Sequence, residues 1–465
     1  VRNGDINRLQ RFIDNGVDVN AREAGSRFTA LMWAAQGGHA DCVQLLIDAR
    51  AALRAQDAVH CRTALIWAAQ SGKIDCTRLL IQANANLEIR DSHGRTAFLW
   101  AASNGHIECA RMLMDAKADM AVCYRHGVTP LMLATLTGSA EVQRLLDCNA
   151  DVNALDNKGD TALIWAVRLG KSDCAQVLIN AKAKIEVPDS GYSPLIWAVQ
   201  MGRTDCAQLL IDAKANLETN NNGIRTALSW AAYQGHAGCL ELLINAKACI
   251  NSKNDPYISL LFPTLEFNHL DCFQLLINAK ADLEAKDSNG NTALIYAALI
   301  GRTKYVQLLI NADADIGAKG GNDITPLMST VRFNLFNCMQ LLVNTKADLE
   351  AHDKDRRTAL MLAAVWGSAE CVAVLVDANS DMEAKDNDGR TALMLAAIWD
   401  RTKCVAVLVD AKADVEVQDK NGHNPLMLAA RSEEISCIAL LAYANTIATQ
   451  RPERKRRRTS DASPS

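Results

Sequence analysis

No motif of a catalytic site occurs in the chain: neither a GxGxxG or P-loop turn to cradle phosphate, nor HExxH, GxSxG or the kinase signatures. Catalysis is therefore not expected of residues 1–465. Cysteine is plentiful at 15, but no CxxC pair exists and no Cys/His spacing matches a zinc finger, so neither a metal nor another cofactor is expected. Uninterrupted apolar runs end at about eight residues, against the ~20 that a membrane-spanning helix needs. No basic segment followed by an apolar one opens the chain, and nothing points to secretion. Aromatics are scarce, at 5%, while Ala-Leu-Ile-Ala patterns abound, which favours helices over a β-sandwich.

What the chain does have is ample apolar material, 49% against 22% charged residues, enough for most of it to bury surface. Its net charge of −4 is unevenly spread. Residues 451–465 hold six basic and two acidic side chains, or +4, which leaves 43 basic against 51 acidic side chains, or −8, on the first 450 residues. Binding through nucleic-acid phosphates depends on dense Lys and Arg, so nucleic acid is not an expected partner of this acidic body.

A period runs through the body. Thr-Ala-Leu or a close variant recurs at Thr29, Thr63, Thr96, Thr129, Thr161, Ser193, Thr226, Ser259, Thr292, Thr325, Thr358, Thr391 and Asn424, in steps of 34, 33, 33, 32, 32 and then 33 seven times. A fixed period near 33 signals stacked units, none of which buries its apolar face alone. In residues 391–423, Thr391 opens a short helix, a turn follows at Trp399-Asp400, and Cys404-Val-Ala-Val-Leu-Val409 repeats apolar residues at helical spacing. The unit closes with Lys412 to Gly422, extended and then turn-like.

This pattern is similar to that of ankyrin-repeat proteins over residues 1–448, with literal matches at Thr129-Pro130-Leu131, Gly235-His236 and Gly16-Val17-Asp18-Val19-Asn20. The resemblance implies an all-α solenoid with β-hairpin or turn connections, elongated and curved. Thirteen repeats at ~10 Å each give a length of about 130 Å. The expected division is a partial repeat at 1–28, tandem repeats over 29–448 and a disordered basic tail at 449–465. Val1 to Asp5 enters the pattern at the turn after a first helix, without an initiating Met, which suits a fragment or a chain short of a few capping residues. For function the resemblance implies a non-enzymatic scaffold or adaptor that binds a protein partner on its concave surface. Membranes and small-molecule substrates are not expected partners, and a monomer in the cytoplasm, the nucleus or both is. The rival is a regulatory or substrate-recruiting arm of a larger enzyme whose catalytic domain precedes Val1, a choice that the full open reading frame decides.

Departures from the family pattern carry the remaining expectations. The family's fourth-slot His is replaced by Met32, Ile66, Leu99, Met361 and Met394, so burial should stand in for a hydrogen-bond network, at about 25 cal/mol per Å². Beside that slot Trp33, Trp67, Trp100, Trp165, Trp197 and Trp230 form a ladder, read as packing between helices in preference to a cofactor box or base-stacking platform. The turn after the first helix needs positive φ, supplied by Gly38, Gly72, Gly105, Gly138, Gly170, Gly202, Gly235, Gly301 and Gly367, with Asn268, Asn334 and Asp400 as substitutes. After the second helix the family's Gly is missing, and Lys117, Lys182, Lys214, Lys247, Lys280, Lys346 and Lys412, or Asn84, Asn149, Asn379 and Asn445, stand there as caps.

Eleven cysteines follow the period at Cys42, Cys76, Cys109, Cys174, Cys206, Cys239, Cys272, Cys338, Cys371, Cys404 and Cys437, in the family's Val slot of the second helix. Stacked helices lie about 8–10 Å apart, beyond the ~7 Å that a disulfide bridges, so these thiols are expected reduced in the core of an intracellular protein. Cys61, Cys123, Cys148 and Cys249 lie outside the row. Pro263 within a first helix is expected to bend or loosen the stack, at about 3 kcal/mol, or else to be tolerated drift, as is the loss of an Ala pair to Thr330-Val331.

Two candidate sites emerge. Arg454, Lys455, Arg456, Arg457 and Arg458 resemble a single-cluster nuclear import signal, or else a solvated basic end. Ser460 beside them resembles a basophilic-kinase site whose phosphate would weaken that cluster. On the body, the ninth slot of the repeat holds Gly37, Ser71, Asn104 and Thr137 early in the chain, but Phe267, Ile300, Phe333, Trp366 and Trp399 in five consecutive later repeats. Leu299, Val365 and Ile398 flank them. Stacking in register would align these as an exposed partner-binding ridge about 40 Å long, from four steps at ~10 Å. The competing reading draws them into the core of divergent repeats, or under a covering segment.

Overall fold

The computed structural model describes residues 1, 3–119, 127–147, 149–186, 192–221, 225–251, 259–431 and 435–446. Contacts divide the chain into two units, Val1–Ala231 with Gly238–Ala248, and Ala232–Ala237 with Cys249–Ser465. Each unit is built of paired short helices. Among the described residues no strand occurs, and the only β pairing is an isolated bridge between Asn220 and Thr226. The expected hairpins are thus turns, closed by bonds such as Asp91 N–H to the Arg95 carbonyl at 2.9 Å.

In most repeats the recurrent Thr starts the first helix by accepting an otherwise unpartnered N–H, although Thr391 makes no such bond and Ser259 takes the N–H of Leu261, two residues on. The Thr63 hydroxyl takes the Ile66 N–H at 3.3 Å ahead of helix Ala64–Gln70, and Thr358 takes that of Met361 at 3.4 Å ahead of Ala359–Trp366. Ser193 and Asn424 do the same for Ile196 at 3.3 Å and Met427 at 2.9 Å, which is why the slot drifts only among residues with a short side-chain oxygen. First helices are buried nearly all round: in Ala359–Trp366 every residue from Ala359 to Ala364 is buried. Second helices bury one stripe, as Cys371, Val372 and Leu375 do in Ala369–Asp377. In the first unit, first helices pack on first and second on second, Ala30–Gly37 against Ala64–Gln70 and Ala40–Asp48 against Ile74–Gln82. The second unit repeats this with Ala359–Trp366 on Ala392–Ile398 and Ala369–Asp377 on Thr402–Asp410. Met32, Ile66, Leu99, Met361 and Met394, which replace the fourth-slot His, are buried, whereas Met427 in the same slot is exposed at 50%.

The turn after the first helix is left-handed as expected. Gly72 has φ +64°, and a Cβ there would lie 2.6 Å from Nδ1 of His106, so conformation and space both demand glycine. His106 closes over that turn, its Nε2–H donating to the Gln70 carbonyl at 3.0 Å, and in the second unit His269 does the same to Tyr233 at 3.1 Å. Asn268, Asn334 and Asp400 take φ of 63°, 53° and 50°. The seven Lys after the second helices have φ between 61° and 70°, and Asn84, Asn149 and Asn379 follow suit at 59°, 60° and 66°. Arg50 and Asp313 hold the same slot at 61° and 60°. Asn445 departs from the expectation: it lies inside a helix spanning 435–446.

Pro263 also departs from it. Helix Leu261–Glu266 starts only two residues earlier, so the missing N–H is one that no helix would use, and the cost of an interior proline does not arise. The Pro263 carbonyl still accepts the Phe267 N–H at 3.0 Å. Thr330, in place of an alanine, is satisfied by donating its hydroxyl to the Leu327 carbonyl at 2.7 Å.

Candidate protein-binding surface

The ridge residues all lie in the second unit, each at the C-terminal end of a first helix. Trp366 is the last residue of its helix, and Phe267, Ile300 and Trp399 immediately follow Leu261–Glu266, Ala293–Leu299 and Ala392–Ile398. Phe333 stands one residue further beyond Pro326–Val331. All five are exposed, Phe333 at 58%, Trp399 at 55%, Trp366 at 48%, Phe267 at 43% and Ile300 at 37%, so they are not drawn into the core. Leu299, Val365 and Ile398 are half-buried beside them.

Two of the five are brought together through one cation: the Arg332 guanidinium lies 5.2 Å from the Trp366 ring centre and 5.4 Å from that of Phe333. Phe267 packs its edge on Tyr233 at 4.8 Å instead of on another ridge residue. Next to Trp366 opens a cavity of about 300 Å³, walled by Leu299, Ile324, Met328 and Leu362, in which the charged lining residues are Arg332 and Arg357. The sequence reading passed over two further ninth-slot residues, Leu169 and Met201, although counting from Thr161 and Ser193 finds them. They are exposed in the first unit at 39% and 42% and line a cavity of about 470 Å³ with Trp165, Arg168, Asp156 and Asp160. Burial, with the Asp156 charge beside it, pushes the Asp160 carboxyl up from its ordinary range.

The tryptophan ladder packs, but not in the Leu position between helices. Trp67 and Trp100 are buried while Trp33, Trp165, Trp197 and Trp230 are only half-buried. The ladder sits beneath the turns: the indole N–H groups of Trp67, Trp100 and Trp165 donate to Asp57 at 3.2 Å, Asp91 at 2.9 Å and Asp156 at 3.2 Å. Arg62 is held between Trp67 and Trp100, 4.7 and 4.5 Å from the ring centres, with its Nε 3.5 Å from Asp91. Burial works against the Asp91 carboxylate, but N–H groups from Arg95, Trp100 and His93 hold its pKa below the ordinary value.

The cysteine row is buried throughout, and no disulfide joins the described cysteines. Burial, reinforced by the neighbouring acidic residue, pushes the Cys76, Cys206 and Cys371 thiols up to about 11, and burial does the same to Cys404. Cys123, Cys148 and the tail, with Arg454 to Arg458 and Ser460, lie outside the described residues. Among the described residues no helix is long and apolar enough to cross a membrane.

Comparison with protein families agrees with this architecture. A family model described as ankyrin repeats (3 copies) matches residues 1–91, 51–124, 117–189, 186–255, 312–386 and 378–451. A second, described as ankyrin repeats (many copies), matches residues 265–310. No curated protein matches the chain.

Proposed function

Because the chain belongs to the ankyrin-repeat family, whose repeats are protein–protein interaction modules, we propose that it is a non-enzymatic scaffold or adaptor that holds a partner protein on the ridge of its second unit. The observation that carries this reading is the exposure of Phe267, Ile300, Phe333, Trp366 and Trp399 in one slot of five consecutive repeats. Soluble proteins rarely leave a periodic apolar row in water without a use for it, and Trp is the residue type most enriched among binding hot spots. The core slots of these repeats are already filled by Leu and by Cys, or by Tyr305 in its place, so the ridge is not needed for packing.

Replacing Trp366 and Trp399 with Ser should abolish partner capture from the native cell while the melting temperature stays within about 2 °C of the parent, as expected for surface changes. A large loss of stability would show that the ridge is core, and the binding reading would fall. The tail is proposed to direct nuclear entry, supported by the uninterrupted run Arg454 to Arg458, with Ser460 as the site whose phosphate would weaken it. Alanine at those five positions should move a fluorescent fusion to the cytoplasm, and an unchanged distribution would leave the tail a solvated basic end.

A further inference from the structure

We propose that the ridge recognises an apolar, extended segment of its partner that carries one acidic side chain, received by Arg332. The inference rests on the reading of the ridge as a protein-binding surface and adds the chemistry of the partner.

One slot of the repeat holds an arginine more than once. Arg168 and Arg332 both stand in the eighth slot, counted from Thr161 and Thr325. In the first unit the residue just before the repeat's Thr faces that slot: Arg62 donates to Gln70 Oε1 at 3.0 Å, and Asp160 Oδ2 meets Arg168 Nη1 at 2.8 Å. Arg168 is thereby neutralised within its own repeat. The counterpart of Asp160 in the repeat of Arg332 is Ile324, which lines the same cavity as Arg332 and offers it no acceptor.

Arg332 is exposed and rests on the Phe333 and Trp366 rings, and no ion pair joins it to a carboxylate among the described residues. The other arginine of the cavity, Arg357, is already held at 2.8 Å by both Asp353 and Asp355. No carboxylate lines the cavity. A cation with no ion pair among the described residues therefore stands between Phe333 and Trp366, beside a cavity whose lining mixes apolar residues with the neutral polar Asn291, Asn322 and Ser329. Its complement is an apolar segment with a carboxylate at its centre, since covering Arg332 with a purely apolar chain would desolvate a charge without a partner. The carboxylate belongs to an internal Asp or Glu and not to a chain end. The ridge continues on both sides of Arg332, with Phe267 and Ile300 before it and Trp366 and Trp399 after it. A nucleic acid fits poorly, because a body of net charge −8 offers little to a phosphate backbone.

The test uses the full chain and short random linear peptides displayed on phage. Selected peptides should be enriched in Asp or Glu flanked by large apolar residues, and the Asp→Asn or Glu→Gln version of the best binder should bind about tenfold more weakly or worse, the usual worth of a hydrogen bond to a charged group. Arg332→Gln should weaken binding by the same factor. Ile324→Asp should do so while keeping the arginine, because it rebuilds the Asp160–Arg168 pair inside the repeat. Unchanged circular dichroism and melting of both variants keep the comparison fair. Peptides without acidic enrichment, binding indifferent to Arg332→Gln, an empty selection, self-association that covers the ridge, or Arg332-dependent capture of a single-stranded oligonucleotide would each overturn the proposal. Peptide binding lost in Trp366→Ser/Trp399→Ser but unmoved by Arg332→Gln would sink only the acidic-segment inference and leave the proposed function standing.

Discussion

The buried cysteine row makes the stability of the protein sensitive to alkali. In the unfolded chain a thiol ionises near its ordinary value of 9, whereas Cys371 and Cys404, in neighbouring repeats of the second unit, are pushed up to about 11. The folded pKa is the higher one, so the unfolded chain releases protons first as pH rises. The contribution is fully present below about pH 9 and is lost as pH climbs through 11. At about pH 10 the unfolded thiol is mostly ionised and the folded one mostly is not, which amounts to about 1.4 kcal/mol per cysteine, or about 3 kcal/mol for this pair. Lysine and tyrosine also titrate in this range, so wild type alone proves nothing. The informative comparison is Cys371→Val with Cys404→Val, which keeps an apolar side chain of the kind the family places there. Urea unfolding at about pH 8 and about pH 10, followed by circular dichroism, should show the variant losing about 3 kcal/mol less than wild type between the two conditions. Parallel losses in the two proteins would refute the reasoning, since they would mean that the thiols ionise alike in both states.

Trp100→Phe keeps the ring under Arg62 but removes the N–H that reaches Asp91 at 2.9 Å, and should cost about 1–3 kcal/mol and raise the Asp91 pKa; an unmoved melting temperature would show that the bond contributes nothing. Lys412 holds φ +70°, so Lys412→Gly should be neutral or stabilising by up to about 1 kcal/mol, while a β-branched Val should be clearly destabilising. Thermal unfolding of the pair decides it, and equal effects of Gly and Val would dispose of the backbone argument.

Most of the fold is legible in the sequence because its determinants are local. A Thr, Ser or Asn at most periods needs only an oxygen within reach of an N–H three residues on, and a Gly, Asn or Asp at the turn needs only freedom at φ. Both are properties of one residue and its immediate neighbours. The errors have the same origin in reverse. Pro263 reads as a helix breaker from its place in the repeat, yet its effect depends on where the helix begins, and that beginning at Leu261 is set by the local chain and not by the period. Asn445 reads as a cap because twelve earlier repeats end there, but at 435–446 the helix runs on through the slot. The tryptophans read as core because they are large and periodic, while the indole N–H groups of Trp67, Trp100 and Trp165 find carboxylates nine or ten residues back, on turns whose path the period alone does not trace.

The ridge was visible for a different reason. A slot that is small or polar in early repeats and aromatic in later ones breaks the pattern of its own chain, and Phe333, Trp366 and Trp399 stand out by that contrast alone. Arg332 does not stand out, because an arginine in the eighth slot also occurs at Arg168, and one residue type in one slot looks like one role. What separates them is the residue eight positions earlier, Asp160 in one repeat and Ile324 in the other, and that relation acquires meaning only once the turn is seen folded back over the helix end. The same guanidinium is then spent inside the molecule at 2.8 Å in the first unit and left facing outward on two aromatic rings in the second. A repeat protein can thus change what a surface recognises without altering a contact residue, by removing the internal counter-charge of a cation that was already there.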